Sequence, residues 1–127
     1  MDNLRLPDSE LFIMKIIWGQ GGEATSADIM KELDGKKKWA TTTLLNFLAR
    51  LADKGFLSVR KSGKVNIYTS IVDEERYLEK ESKSFLKRLH GNSLTGLVAS
   101  LYNGEAISPD DLAELRQFID EKAGEQS

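Results

Sequence analysis

Residues 41–69 decide the fold of this chain, and they read TTTLLNFLARLADKGFLSVRKSGKVNIYT. In the first half of this stretch, four apolar residues recur at three- and four-residue spacing: Leu44, Phe47, Leu48 and Leu51. That spacing predicts a helix from about Ala40 to Lys54 with one buried face, ended by Gly55. The second half has two runs of alternating polarity around the pair Ser62-Gly63, which predicts a β-hairpin.

Two shorter helices are predicted ahead of this stretch. The first begins after Pro7 and is ended by the glycine-rich residues 19–22, with apolar residues at helical spacing: Leu11, Met14, Ile17 and Trp18. The second is predicted over Ala27–Leu33, with Thr25-Ser26 as its cap. Helix, helix, helix and hairpin in this order are typical of a winged helix-turn-helix, which we predict for residues 1–71.

Residues 72–127 have a purely helical pattern. Three amphipathic helices are predicted there, and three helices in about 55 residues seldom enclose a stable core alone. We therefore predict a dimerisation arm, in which the apolar faces pack against a second copy: Phe85, Leu86, Leu89, Leu94, Leu97, Leu101, Leu112, Leu115, Phe118 and Ile119. The alternative is that these faces pack against the chain's own winged domain and leave a monomer. The predicted fold class is mostly α with a small β-hairpin.

The charges are unevenly distributed along the chain. Net charge is −2, but residues 1–72 hold 11 Lys and Arg against 8 Asp and Glu, whereas residues 73–127 hold 7 against 12. A basic first part suits a polyanionic partner such as DNA, and an acidic second part suits a segment that stands away from phosphates. The alternative interpretation is chance fluctuation in two small samples.

Several function classes are excluded by composition. The chain has no cysteine and one histidine, His90, so we expect no metal site. Phosphate-binding loops, nucleophile elbows and dinucleotide motifs do not occur, so we predict that the chain is not an enzyme and needs no cofactor. Lys15 interrupts the longest apolar run and the first residues do not resemble a signal peptide. We therefore expect no membrane association and a cytoplasmic location.

The polar face of the predicted third helix has the chemistry of a DNA-reading surface. It presents Thr41, Thr42, Leu45, Asn46, Ala49 and Arg50. Methyl groups can meet thymine methyls, Asn can pair with adenine, and Arg can bond guanine or phosphate. An ordinary amphipathic helix would also be polar here, but it would not need threonines at the end that a recognition helix inserts. A protein-interaction module without DNA binding should instead show several large apolar residues, and only Leu45 qualifies.

Residues around this helix are predicted to contact phosphates. Thr25 and Ser26 would direct hydroxyls and backbone N–H groups of a helix start at the DNA backbone. Lys38 ends a run of three lysines just ahead of the third helix. Arg60, Lys61 and Lys64 are predicted to cluster on the hairpin.

Much of the sequence resembles the BlaI/MecI penicillinase-repressor family. The resemblance rests on residues 11–18, Trp39, residues 43–57, Tyr68 at the end of the hairpin and Leu112–Leu115, and it covers nearly the whole chain. It implies a homodimeric transcriptional repressor with an N-terminal winged helix and an intertwined three-helix arm, bound to inverted-repeat operators in double-stranded DNA. It also places Thr42, Thr43, Asn46 and Arg50 at recognition-helix positions and residues 61–64 at the wing.

Two features depart from that family. Its copper-responsive branch carries a C-terminal Cys-x-Cys pair that is absent here, so copper sensing is not expected. In its antibiotic-responsive branch a protease ends repression by cutting an Asn-Phe bond in the middle helix of the arm, and the aligned bond here is Ser100-Leu101. Proteolytic induction is therefore not carried over. The partner that ends repression, an inducing protease or another signal component, stays open.

Overall fold

Six helices and three strands make up residues 5–125, the part of the chain that the computed structural model describes. In chain order they are α1 (Asp8–Gly19), β1 (Glu23–Thr25), α2 (Ser26–Leu33), α3 (Thr41–Asp53), β2 (Leu57–Ser62), β3 (Val65–Ser70), α4 (Glu74–His90), α5 (Leu94–Asn103) and α6 (Pro109–Glu125). This arrangement confirms the predicted fold class. None of the helices in the described part is long and apolar enough to cross a membrane.

The three strands form one antiparallel sheet in the order β1-β3-β2. Ser62 pairs with Val65, so the hairpin turn is Gly63-Lys64, one residue later than predicted. Gly63 has a φ of +65°, which suits the first loop position of a two-residue hairpin. Strand β1 was not predicted, because three residues are too few to show an alternating pattern.

The core of the winged domain lies between α1, α2, α3 and the sheet. Its largest fully buried side chains come from the three helices: Ile13, Met14, Ile17, Ile29, Leu33, Leu44, Leu48 and Leu51. The sheet adds Ala24, Leu57 and Tyr68. Each large apolar side chain buried in this way stabilises the fold by roughly 1.5–3 kcal/mol. The apolar periodicity of α3 is therefore the pattern of a helix packed on this core.

A buried ion pair connects α1 to the end of α3. The Glu10 side chain is almost completely buried, and its carboxylate accepts a hydrogen bond from the Lys54 ammonium. A carboxylate without this partner would be costly to bury. The pair therefore helps to hold the C-terminal end of α3, and with it the helix's direction, against α1.

The chain divides into two compact units, residues up to 81 and residues from 82 onwards. This division differs from the predicted boundary between residues 71 and 72, because the first two turns of α4 belong to the winged unit. Tyr77 is buried there, and its hydroxyl accepts a hydrogen bond of 2.9 Å from the Leu6 backbone N–H. Its ring centroid lies 5.9 Å from that of Trp18 and 5.7 Å from that of Phe56.

The second unit consists of the rest of α4 together with α5 and α6. Ser93 caps α5, since its hydroxyl oxygen accepts from the Gly96 N–H at 2.9 Å. At the start of α6, Ser108 and Asp111 each bond the other's backbone N–H, at 3.1 and 2.8 Å. None of the side chains from residue 82 to residue 125 is buried.

Tyr77→Phe is expected to lower the free energy of unfolding by about 1–3 kcal/mol, because it leaves the buried Leu6 N–H without its acceptor. Chemical denaturation of the full chain measures this difference. Tyr102→Phe is the matched control, since Tyr102 is exposed and the same change there should stay within about 0.5 kcal/mol. Equal stabilities of Tyr77→Phe and wild type would show that the hydroxyl does not hold α4 on the winged unit.

Candidate nucleic-acid interface

Helix α3 turns one apolar face to the core and presents a contiguous face of mostly small side chains to solvent. Leu44, Leu48 and Leu51 are buried, whereas the opposite face is exposed: Thr41, Thr42, Leu45, Asn46, Ala49 and Arg50. Thr43 lies between the two faces and is half-buried. The first turn of α3 contains no acidic residue, and Asp53 is the last residue of the helix. The N-terminal half of the exposed face of α3 therefore contains no carboxylate.

The loop before α3 is anchored by a cluster of three aromatic rings. The Trp39 ring lies between Phe12 and Phe47, with centroid distances of 6.2 and 5.1 Å. The ammonium of Lys37 lies 5.3 Å from the centroid of the Phe12 ring, so this lysine is drawn back to α1. Lys38 is exposed next to the anchored Trp39, which places its charge beside the N-terminus of α3.

The start of α2 is closed by a capping box. The Thr25 hydroxyl oxygen accepts from the Asp28 N–H at 3.1 Å, and the Asp28 carboxylate accepts from the Thr25 N–H at 3.0 Å. Thr25 therefore has only its hydroxyl proton left for a phosphate, and Ser26 beside it is half-buried. The predicted cap at Thr25 did not include the Asp28 carboxylate, although Thr-x-x-Asp is a variant of the capping-box pattern.

Hydrogen bonding from Thr25, first of all from its backbone N–H, holds the pKa of the Asp28 carboxyl below its usual value. A depressed folded-state pKa stabilises the fold above the unfolded value, about pH 4, and this contribution is lost as pH falls through the folded value. We therefore expect wild type to melt at a higher temperature than Asp28→Asn at pH 7, and the two to converge below about pH 4. Melting curves across that range measure the difference, and a gap that does not change with pH would contradict this assignment.

The alternation of side chains along β2 separates the basic residues of the hairpin. Lys61 lies on the same face of β2 as the buried Leu57, which is the face that packs on the core. Arg60 lies on the opposite face, where its guanidinium is 3.3 Å from the Glu23 carboxylate across the sheet. The predicted cluster of three cations is therefore wrong in part: Arg60 is engaged on the far face. Lys64 lies in the hairpin turn and is exposed.

Five cations of the winged unit have carboxylate partners in the described part of the chain, whereas the four cations predicted to bind DNA have none. Lys15, Lys36, Lys54 and Arg60 all have carboxylate partners, as does Arg5 with Glu81. Among residues 5–125, no carboxylate lies within salt-bridge distance of the four cations predicted to bind DNA: Lys38, Arg50, Lys61 and Lys64. The Arg50 guanidinium lies over the Phe47 ring at 5.8 Å from the ring centroid. Unpaired cations around a small-residue helix face suit a polyanion with readable base edges.

Nothing in the described residues points to a metal centre, since no three His, Asp or Glu side chains there come close enough to hold an ion. The candidate site is a surface formed by the exposed face of α3, Lys38, the start of α2 and the hairpin.

Comparison with known proteins gives a family match over most of the chain. The family model described as penicillinase repressor matches residues 6–121. A penicillinase repressor of Bacillus licheniformis is 34% identical over 117 residues, which are 92% of this chain and 91% of that protein. The methicillin resistance regulatory protein MecI of Staphylococcus aureus (strain N315) is 31% identical over 124 residues, 96% of this chain and all of that protein.

Solved structures match the winged unit. The solution structure of the DNA-binding domain of the repressor BlaI has a TM-score of 0.51 and 36% identity, covering 57% of this chain and 88% of that one. Bacillus licheniformis BlaI, solved in its monomeric form in complex with the blaP half-operator, has a TM-score of 0.50 and 35% identity. It covers 59% of this chain and 90% of that one.

Fold, site and relatives together define a winged-helix, DNA-binding transcriptional repressor. The chain belongs to the penicillinase repressor family. The alternative of a winged-helix interaction module without DNA binding loses its support, because Leu45 is the only large apolar residue on the exposed face of α3.

Proposed function

We propose that two copies of this chain pair through the second unit and bind, as a homodimer, an inverted-repeat operator in double-stranded DNA. The observation that carries the proposal is the exposure of that unit's large apolar side chains. Six of the ten residues predicted for the dimer contact are exposed by 36–58%: Phe85, Leu89, Leu94, Leu101, Phe118 and Ile119. The other four are half-buried. A second copy of the same helices would remove these surfaces from water, at roughly 25 cal/mol per Å² of apolar area.

Two-fold symmetry of the dimer determines the form of the operator. A symmetric pair presents two identical recognition helices in opposite orientations, which requires two half-sites in inverted orientation. The two helices must enter the major groove on one side of the duplex, about 34–36 Å or a multiple of that distance apart. The relative that was solved on a half-operator supports an operator made of two halves, each bound by one chain.

Within each half-site, α3 is proposed to lie in the major groove. Thr41, Thr42, Thr43 and Asn46 would meet base edges, because their side chains are short and carry methyl, hydroxyl or amide groups. Phosphates would be bound by the cations and by the start of α2: Lys38, Arg50, Lys61, Lys64, Thr25 and Ser26. The protein would act in the cytoplasm, where its operator lies, and an inducing protease or another signal component would end repression.

Selection from a randomised duplex library tests this proposal with the full-length chain. The enriched sequence should contain one short element repeated in inverted orientation. Light scattering of the complex should give two chains per duplex. Enrichment of a single unrepeated element, together with one chain per duplex, would contradict the homodimer, while failure to enrich any sequence would contradict specific DNA binding itself.

A further inference from the structure

Leu45 is the unusual residue of the proposed recognition surface. It lies in the middle of the exposed face of α3 and is 39% exposed, although it is large and apolar. Thr42 precedes it by three residues and Ala49 follows it by four, so all three lie along one side of the helix. Asn46 and Arg50 lie beside this strip, one residue further round the helix. The exposed face thus has a methyl-bearing strip next to a hydrogen-bonding strip.

An isobutyl group in the major groove can recognise only one kind of base edge. It neither donates nor accepts hydrogen bonds, so a G·C pair opposite it would lose water from its N7, O6 or N4 groups without replacement. The C5-methyl of thymine is the apolar group that the groove offers. Leucine against this methyl buries apolar surface on both sides.

The charges around Leu45 identify DNA rather than a protein as its partner. Lys38 and Arg50 carry unpaired charges near the two ends of the same surface, and Lys61 and Lys64 add two more on the hairpin. One leucine surrounded by small polar residues and unpaired cations fits a polyanion better than an apolar protein surface.

We propose that Leu45 is a specificity-determining residue that requires a thymine methyl at one position of each operator half-site. This proposal rests on the proposed function, since it assumes that α3 lies in the major groove. It extends that function by assigning one base of the operator to one side chain.

Replacing single thymines by deoxyuridine in the duplex selected by the full-length protein tests the proposal. The replacement removes the methyl group and leaves base pairing unchanged. In each half-site we expect one thymine whose replacement lowers the affinity of the wild type about fourfold, which corresponds to the free energy of burying one methyl-sized group. In Leu45→Ala the same replacement should have no effect, because the leucine side chain that contacts the methyl is gone.

Leu78→Ala is the matched control, since Leu78 is exposed to a similar extent (37%) but lies on α4, away from the recognition face. This variant should keep the full fourfold response to deoxyuridine. Thermal melting should show Leu45→Ala to be folded, because Leu45 contributes little to the core and alanine favours helix.

The outcomes separate this proposal from the proposed function. In one outcome the wild type binds the selected duplex specifically while deoxyuridine has the same effect on wild type and Leu45→Ala at every thymine. That result would overturn the role of Leu45 and leave the proposed repressor function unchanged. Loss of preference for the selected duplex over a scrambled one would overturn both. The proposal would be supported if deoxyuridine lowers the affinity of wild type and Leu78→Ala at that position but leaves the affinity of Leu45→Ala unchanged.

Discussion

The full-length double variant Phe118→Asp, Ile119→Asp is expected to bind the operator at least about 100-fold more weakly than wild type. Both side chains are exposed on α6 and belong to the proposed dimer contact. A carboxylate buried between two apolar surfaces has no partner there, so the dimer should dissociate. A dimer makes its second half-site contact intramolecularly, and losing that linkage costs a factor of about 10² to 10⁴.

Operator titrations and light scattering of the same samples measure this effect. Gln117→Asp is the matched control: it adds a carboxylate to the same helix at an exposed polar position, and it should leave the dimer and its affinity nearly unchanged. A double variant that stays dimeric, or a monomeric variant that binds the operator as tightly as wild type, would contradict the role assigned to the second unit.

Asn46→Ala and Arg50→Ala should weaken DNA binding in different ways. Asn46 is exposed in the middle of α3, and if its amide reads a base, its loss should cost roughly 1–3 kcal/mol on the operator and little on scrambled DNA. Arg50 is exposed two turns after the start of α3 and has no carboxylate partner in the described part of the chain. Its loss should weaken binding to all sequences alike and flatten the salt slope by about one unit.

The control for charge removal is Arg76→Ala, which removes an exposed cation from α4 outside the proposed interface. Its affinity and salt slope should match those of wild type. Identical behaviour of Asn46→Ala, Arg50→Ala and wild type on both duplexes would mean that the exposed face of α3 is not the recognition surface.

Local patterns made the winged domain predictable from sequence. Helix α3 has a strong apolar period that ends at Gly55, and the hairpin has two alternating runs around a glycine. Each of these patterns extends over about 15 consecutive residues or fewer, and over such a stretch the spacing of apolar residues indicates which face is buried. The exposed positions of α3 follow from the same period, because the residues opposite a buried face must be exposed.

Features that depend on distant contacts were not predictable. Tyr77 lies 71 residues from Leu6 in sequence, so nothing local indicated that the start of α4 belongs to the winged unit. Arg60 and Lys61 are adjacent in β2 and therefore lie on opposite faces, but the partner of Arg60 could not be predicted, because Glu23 lies on a strand that has no pattern of its own. The prediction of a three-cation cluster was therefore wrong for Arg60.

The central claim, specific recognition of duplex DNA by the winged unit, is tested most directly by titrating the selected operator and a scrambled duplex at several salt concentrations. Specific sites are typically bound at least about 10³-fold more tightly than other DNA, and we expect the operator to exceed the scrambled duplex by that factor. The plot of log affinity against log salt should fall with a slope on the order of −0.9 per phosphate neutralised. A flat salt response, or equal affinity for the two duplexes, would contradict this account.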